Sequence, residues 1–414
     1  MEFEHSTLKT PFLKKRILLG VTGSIAAYKA VDLASKMTQM GADVDVIMTD
    51  SACKLVTPLS FQSVTGRKVY TEHDLWSGEN HVTHITLGMV GDLLVIAPAS
   101  ANTMAKMASG IADNLLSITA LAARCPILVA PAMDGGMYSH PATQHNMEIL
   151  RQRNVRFVGP GTGHLASGLV GPGRLEDNEV ILGTIRCMLA EKGPLAGKKI
   201  VVTAGGTQEP IDPVRAIMNR STGKQGYAMA QAALDMGAGV TLISGPTALA
   251  APIGAVRRDI VTAEEMKNAV LAETAGADVL IMAAAVADFR PQVVADHKIK
   301  KENGIPEIKL TSAPDVLKEV SQRKPQIGHP GVIVGFAAES QDLLANARKK
   351  MEAKHLDLIV ANDIQAEGAG FGVDTNRVSL LTPDGRVETL ELMSKYEVAQ
   401  AVLEKILPLI QPSH

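Results

Sequence analysis

Two segments of the sequence share one pattern that leaves little choice of fold. RILLG, Arg16 to Gly20, is an unbroken apolar run ending in small residues, after which Ala26, Ala30, Leu33, Ala34, Met37 and Met40 recur every three or four positions. A continuous apolar run suits a strand covered on both faces, and the period that follows suits a helix packed across it. Gly41 fits a helix C-cap and Val44 to Met48 a second strand, completing a βαβ unit. KKIVVTAGGT from Lys198 repeats the logic, with a small-residue helix over Gly226 to Met236 and a strand at Val240 to Ser244. Units of this kind build an α/β fold, a parallel sheet with helices on both faces.

At about 150 residues per domain, 414 residues make room for two domains of about 200 each. Further strands are expected at Leu93 to Ala97, Ile127 to Ala130 and Val155 to Val158 in the first half. In the second they are expected at Val279 to Ala283, Val332 to Gly335 and Leu358 to Ala361. A hairpin follows at Val378 to Leu381 and Val387 to Leu390, and Leu392 to Ile410 reads as a closing amphipathic helix. Glu191 to Gly197 (EKGPLAG) combines charge, Pro and Gly, which sets domains of 1–193 and 194–414. The expectation is two Rossmann-like, doubly wound parallel-sheet domains.

Composition removes several function classes. Lys plus Arg is 41 and Asp plus Glu 43, so the net charge of -2 gives no footprint for a nucleic-acid backbone or an anionic membrane. Aromatics at 3% argue against base-stacking platforms. The first sixteen residues lack a signal-peptide apolar core, and no apolar run reaches the ~18 residues of a membrane span. Cys53, Cys125 and Cys187 fit no disulfide framework or paired metal spacing. The expected location is cytoplasmic.

Chemistry concentrates in loops. Gly20 to Ile25 brings glycines and Ser24 to a helix N-terminus, and reads either as an anion cradle or as a tight turn without a ligand. Pro98 to Thr103 places Ser100, Ala101, Asn102 and Thr103 after a strand, where open α/β sheets bind ligands. Two such loops suit one mononucleotide phosphate. His84 follows His81 by three, but no Cys or carboxylate cluster completes a zinc set, and a lone His is more often structural. Pro131 to Tyr138 (PAMDGGMY) by itself is a Gly-rich connector with gap-filling methionines. In the second half, Thr203 to Thr207 and Asn219 to Lys224 read equally as capped helices or phosphate loops. They are not a Walker A, because Met218 and Gln225 stand at its first glycine and its hydroxyl positions. Ala283 to Arg290 and the basic Lys298, Lys300 and Lys301 read in isolation as a strand end and a solvated charged run.

Taken in order, GSIAAYK, HITL, PASANT and PAMDGGMY resemble the homo-oligomeric flavin-containing cysteine decarboxylases. The resemblance implies a flavodoxin-like domain with FMN at the carboxyl edge of its sheet, held by Gly23, Ser24, Ile25, Ser51, Phe61, Ser100, Ala101, Asn102, Thr103 and Met133. It implies His84 as the base that starts thiol oxidation. Three positions depart from the family. Ala166 to Arg174 carries Ser167 where the flap has cysteine, and PAMDGGMY has Asp134 and Tyr138 where Asn and Trp are usual. A serine is a far weaker acid than the thiol that protonates the final intermediate. An ionised Asp134 within ~4 Å of a substrate carboxylate would repel it by roughly 4 kcal/mol, so Asp134 is expected either to be protonated or to face elsewhere.

DPVR at Asp212 to Arg215, MNRSTGK, AAAVADFR, KIKK, APDVL, GFAAES and VAND resemble the CTP-dependent phosphopantothenate-cysteine ligases across the second half. The resemblance implies Asn219 stabilising an acyl-cytidylate and Lys298 neutralising phosphate charge. It places CTP, as co-substrate, among Ala283, Ala284, Ala285, Asp288, Lys298, Pro314, Asp315, Val316, Leu317, Phe336, Lys350 and Lys354, with Mg2+ bridging the phosphates. Together the halves resemble the bifunctional family of bacterial coenzyme A synthesis, whose substrates are 4'-phosphopantothenate, L-cysteine and CTP. Trimers of the first domain and dimers of the second imply a homo-oligomer, up to a dodecamer. Because of Asp134 and Ser167, the alternative is an active ligase fused to a half that decarboxylates only oxidatively or serves as a flavin-binding scaffold.

Overall fold

The structure is a computed structural model that describes residues 10–76, 82–300, 302, 306–339, 342–363, 368, 370 and 372–410. His81, Lys301 and Ser340 lie outside the described residues. The chain divides into two units, Met1–Leu189 and Ala190–His414.

The first unit is built on β1 (Arg16–Val21), β2 (Asp43–Met48), β3 (Val69–Tyr70), β4 (Leu93–Ala99), β5 (Ile127–Pro131) and β6 (Arg156–Phe157). They form one sheet in the order β3-β2-β1-β4-β5-β6, parallel throughout. The unbroken apolar run of β1 has its cause here. Ile17, Leu19 and Val21 enter one core and Leu18 the other, and β4 divides in the same way, with Leu93 and Val95 against Leu94 and Ile96. Strand order reverses between β2 and β4 around β1, and there the carboxyl ends open a crevice. A hairpin of β7 (Gly161–His164) and β8 (Val170–Arg174) stands outside the sheet.

In the second unit follow β9 (Lys199–Ala204), β10 (Gln208–Pro210), β11 (Ala216–Met218), β12 (Gly239–Ser244), β13 (Val256–Asp259), β14 (Val279–Met282), β15 (Phe289–Pro291) and β16 (Leu310–Ser312). Then come β17 (Val332–Glu339), β18 (Leu358–Asp363), β19 (Thr375–Asn376), β20 (Val378–Leu381), β21 (Val387–Thr389) and β22 (Met393–Ser394). The main sheet runs β13-β12-β9-β14-β17-β18-β20-β21 and is parallel up to β18, after which β20 and β21 add an antiparallel edge. Ile200 and Val202 face one core and Val201 the other, the alternation seen in β1. The helix Lys395–Ile410 lays Val398, Val402, Leu403 and Ile406 on the first of these cores. It starts three residues later than its periodicity suggests, because Met393–Ser394 pairs with β19 instead. Two ribbons, β10–β11 and β15–β16, stand apart from the sheet. No described helix is long and apolar enough to cross a membrane.

Leu19 is fully buried at the centre of the first sheet. Leu19→Ala should therefore destabilise the first unit by about 2–5 kcal/mol, read from the denaturant midpoint of its unfolding transition.

Candidate functional site

At the crevice of the first sheet, β1 and β4 are fastened where they diverge. The Thr22 hydroxyl donates to the Pro98 carbonyl at 2.7 Å and accepts from the Ser100 N–H at 2.9 Å. Three short polar caps therefore face one region. Ser24 caps the turn Ile25–Tyr28, Thr49 caps Asp50–Cys53 and Ser100 caps the helix Ala101–Ser109. Gly23 and Ser51 meet so closely that a Cβ on Gly23 would lie 2.4 Å from that of Ser51, so the loop needs glycine. Phe61 is fully buried beneath, and Ile25 is exposed beside Ser24. His84 stands on the helix Thr83–Val90 leading to β4, and its Nδ1 is buried with no hydrogen-bond partner among the described residues. An unpartnered imidazole nitrogen is open to a ligand, as donor or acceptor according to the tautomer.

The β7–β8 hairpin is sewn onto this edge. Met133 N–H donates to the Gly173 carbonyl at 2.9 Å, and Ala132 N–H to that of Ala99 at 3.0 Å. Gly173 has φ +135°, and a Cβ there would meet the Met133 carbonyl at 2.3 Å. The two unusual residues touch: the Ser167 hydroxyl donates to Asp134 Oδ2 at 2.6 Å, while Oδ1 accepts the Gly136 N–H at 2.9 Å as a helix cap. The Ser167 hydroxyl first, then the Gly136 N–H, hold the Asp134 carboxyl below its ordinary 3.8. Its folded pKa lies below the unfolded one, so the contact is complete at neutral pH and is lost only as acid passes through that lowered value. The structure turns Asp134 toward Ser167 and the Gly136 N–H, contacts that favour its ionised form.

The second unit encloses a cavity of about 1020 Å3. Its floor is a loop crossing in which Ala285 N–H donates to the Gly205 carbonyl at 2.8 Å and Thr207 N–H to that of Ala285 at 3.3 Å. Asn219 Nδ2 reaches the carbonyls of Ala285 and Val286 at 3.4 and 3.2 Å. The helix Lys224–Asp235 begins at Gly223 with no side-chain cap, so its first N–H groups stay open to a ligand. Asp315, the cap of the helix Val316–Ile327, pairs with Lys354, and Lys350 donates to the Phe336 carbonyl at 2.9 Å. The lining holds six basic side chains, Arg220, Lys224, Lys349, Lys350, Lys354 and Lys395, against two acidic ones, Asp288 and Asp315. Such a surplus suits a polyanion.

Eleven of the twelve residues expected around CTP line this cavity, and Asn219 lines it too; Lys298 is the exception, exposed and outside the lining. Sequence reasoning missed Asn362, Asn376 and Lys395. Asn362 is buried, and its Oδ1 has no partner among the described residues. Lys395 is 5% exposed and donates to the Gly370 carbonyl at 2.8 Å and to that of Val373. Burial first, then the charge of Lys224, push its pKa below 10.5.

The two units are each the domain of a flavoprotein-linked family. The family described as Flavoprotein matches residues 5–189, and the DNA/pantothenate metabolism flavoprotein C-terminal domain matches 195–409. Along nearly its whole length the chain is similar to coenzyme A biosynthesis bifunctional proteins. It is 47% identical over 395 residues to that of Bacillus subtilis, covering 95% of this chain and 96% of the relative. It is 44% identical over 407 residues to that of Mycobacterium tuberculosis (95% and 96%) and 42% over 397 to that of Vibrio vulnificus (95% and 97%). The chain belongs to this bifunctional family of coenzyme A biosynthesis, in which a ligase is joined to a flavoprotein decarboxylase.

A bound polyanion would raise the lowered pKa of Lys395 and so take up a proton. Affinity for a polyanion probe such as inorganic triphosphate should therefore fall as pH rises through that lowered value, by at most about tenfold per pH unit. Lys395→Met should flatten this dependence, as titration calorimetry across a pH series would register.

Proposed function

We propose that the second half condenses 4'-phosphopantothenate with L-cysteine using CTP, and that the first half decarboxylates the product to 4'-phosphopantetheine with FMN. The observation that carries the ligase reading is the cation-rich cavity, in which two helix N-termini and Lys350 and Lys354 converge. A carboxylate accepts an amine poorly. Its oxygen attacks the α-phosphorus of CTP and pyrophosphate leaves; the cysteine amine then attacks the acyl carbon and CMP leaves with the electron pair. Lys224, Lys350 and the open N–H groups of Lys224–Asp235 stabilise charge on the phosphates, and Mg2+, when it accompanies the nucleotide, would add positive charge to that stabilisation. The two Asn219 contacts at 3.2 and 3.4 Å are long for hydrogen bonds, so exchanging one for the acyl-cytidylate loses little.

In the first half, the residues fit a flavin mononucleotide on three observations: the glycine cradle at Gly23, the Ser24 and Ser100 caps, and the unpartnered Nδ1 of His84. Ser24, Ser51, Ser100, Asn102 and Thr103 would hold its phosphate and polar edge, with Ile25, Phe61 and Met133 beside its apolar ring. FMN, when bound, supplies two-electron chemistry, taking electrons from the cysteinyl thiol and returning them after CO2 has left. His84 receives the thiol proton. Ser167 presents a hydroxyl whose proton is shared with an anionic carboxylate, so it donates more weakly than a free hydroxyl and far more weakly than a thiol. The last protonation is therefore the slow point of this half.

Two outcomes test the reading. Lys298→Gln should abolish or severely slow CMP formation while flavin stays bound; normal turnover would remove the lysine from the ligase. Ser167→Ala should leave CO2 release within about threefold of the parent while raising the share of unreduced enethiol product, resolved by mass. An unchanged product ratio would mean that the proton comes from elsewhere.

A further inference from the structure

The segment that follows β15 leaves the ribbon at the rim of the ligase cavity, where Asp288 and Ser312 belong to the lining. It is tied down at three points. Gln292 N–H donates to the Lys309 carbonyl at 2.9 Å and Ala295 N–H to that of Ile211 at 3.0 Å. The third tie grips Ile299, the residue after Lys298, from both sides. Its N–H donates to Asp212 Oδ2 at 3.2 Å, and its carbonyl accepts from Arg215 Nη2 at 3.1 Å.

Asp212 divides its two oxygens between two tasks. Oδ1 accepts the N–H groups of Val214 and Arg215, both at 2.9 Å, and closes the local turn. Oδ2 takes Arg215 Nε at 3.0 Å, Arg215 Nη2 at 2.5 Å and the Ile299 N–H. The side chain is fully buried, although Arg215 is nearly half exposed. A turn alone needs one acceptor, which asparagine supplies equally well. An asparagine here would keep the turn through its oxygen but set its amide donors against the guanidinium and the Ile299 N–H. The carboxylate is required by the strap, not by the turn.

We infer that Asp212, acting with Arg215, is a positioning residue of the ligase reaction, fixing the peptide after Lys298 so that the exposed ammonium stands where the nucleotide phosphates come. The inference rests on the proposed role of Lys298 and adds the device that holds it. Lys298 contributes little to cytidylyl transfer when its strap is untethered, and the tether at Ile299 is formed before substrate binds.

The test uses the full chain with 4'-phosphopantothenate, L-cysteine and CTP, following pyrophosphate and CMP, with decarboxylation of supplied phosphopantothenoylcysteine as a control. Asp212→Asn should lower the turnover number for CMP formation by about tenfold or more and leave the control unchanged. In the double variant with Lys298→Gln the loss should be no greater than in Lys298→Gln alone, because both act through one ammonium. Ile299→Ala, which keeps both peptide contacts, should stay near the parent rate. Losses that multiply in the double variant, or an Asp212→Asn enzyme at the parent rate beside an inactive Lys298→Gln, overturn the inference alone. Normal turnover of Lys298→Gln overturns it together with the lysine's role. Should Asp212→Asn not fold, hydrogen exchange in the parent decides: the Ile299 amide should be protected, and exchange at the rate of a free amide would refute the tether.

Discussion

Both halves depend on a buried threonine hydroxyl that stitches neighbouring parallel strands together where their backbone ladder ends. In the first, Thr22 joins the ends of β1 and β4 by donating to Pro98 and accepting from Ser100. In the second, Thr203 accepts from Ala284 at 3.1 Å and Thr207 from Ala287 at 3.0 Å, joining the ends of β9 and β14. All three are wholly buried. Parallel strands have no tight turn to hold their carboxyl ends together, and diverging ends would leave backbone groups unpaired. A side-chain hydroxyl satisfies both strands and lets the loops above them point outward. Pro98 to Thr103 and Ala283 to Asp288 hang from these stitches, so the flavin-side caps and the cavity floor have one structural origin.

The same physics decides what could be read before the fold was known. Strands such as β1, β4 and β14 are covered on both faces, so burial writes itself into sequence as an unbroken apolar run. The β7–β8 hairpin carries no such mark, since GTGH and VGPGR lack alternation and are held by Gly173 and Met133 rather than by a core. The cavity's CTP-side residues were legible because they occur in ordered motifs. Lys395 and Asn376 were not, because neither stands in one of those motifs, and Asn362, although part of VAND, is singled out only by its burial with an unpartnered Oδ1. Lys298 shows the reverse. It is conspicuous as part of a basic run, yet the peptide that follows it is held by Asp212, 87 residues before Ile299 along the chain.

Asp134 and Ser167 show why two departures from a pattern should be weighed together. Taken singly, one puts a negative charge where the substrate carboxylate is expected, and the other removes an acid. In the fold they are donor and acceptor of one hydrogen bond, and the charge is further satisfied by the N–H of a helix N-terminus. The pair ties the hairpin to the loop after β5, a task that a thiol, as a weak donor, would perform less well. The Ser167 hydroxyl thus serves as an anchor between hairpin and loop, whatever proton it delivers.

Electrostatics in the second unit are local in the same sense. The chain as a whole is nearly neutral at -2, yet the cavity lining carries six basic groups to two acidic. Without a bound anion, Lys395 is a buried group that donates to carbonyl oxygens, with Asp374 as its nearby opposite charge and Lys224, paired with Asp374, as a like charge. One carboxylate serves two lysines here, and the lining carries more basic than acidic groups, so this arrangement gains from a ligand that brings several negative charges at once. On the proposed reaction that ligand is the triphosphate. Loss of pyrophosphate removes most of that charge from the cations, and the same lysines that favour entry of CTP then hold CMP less firmly.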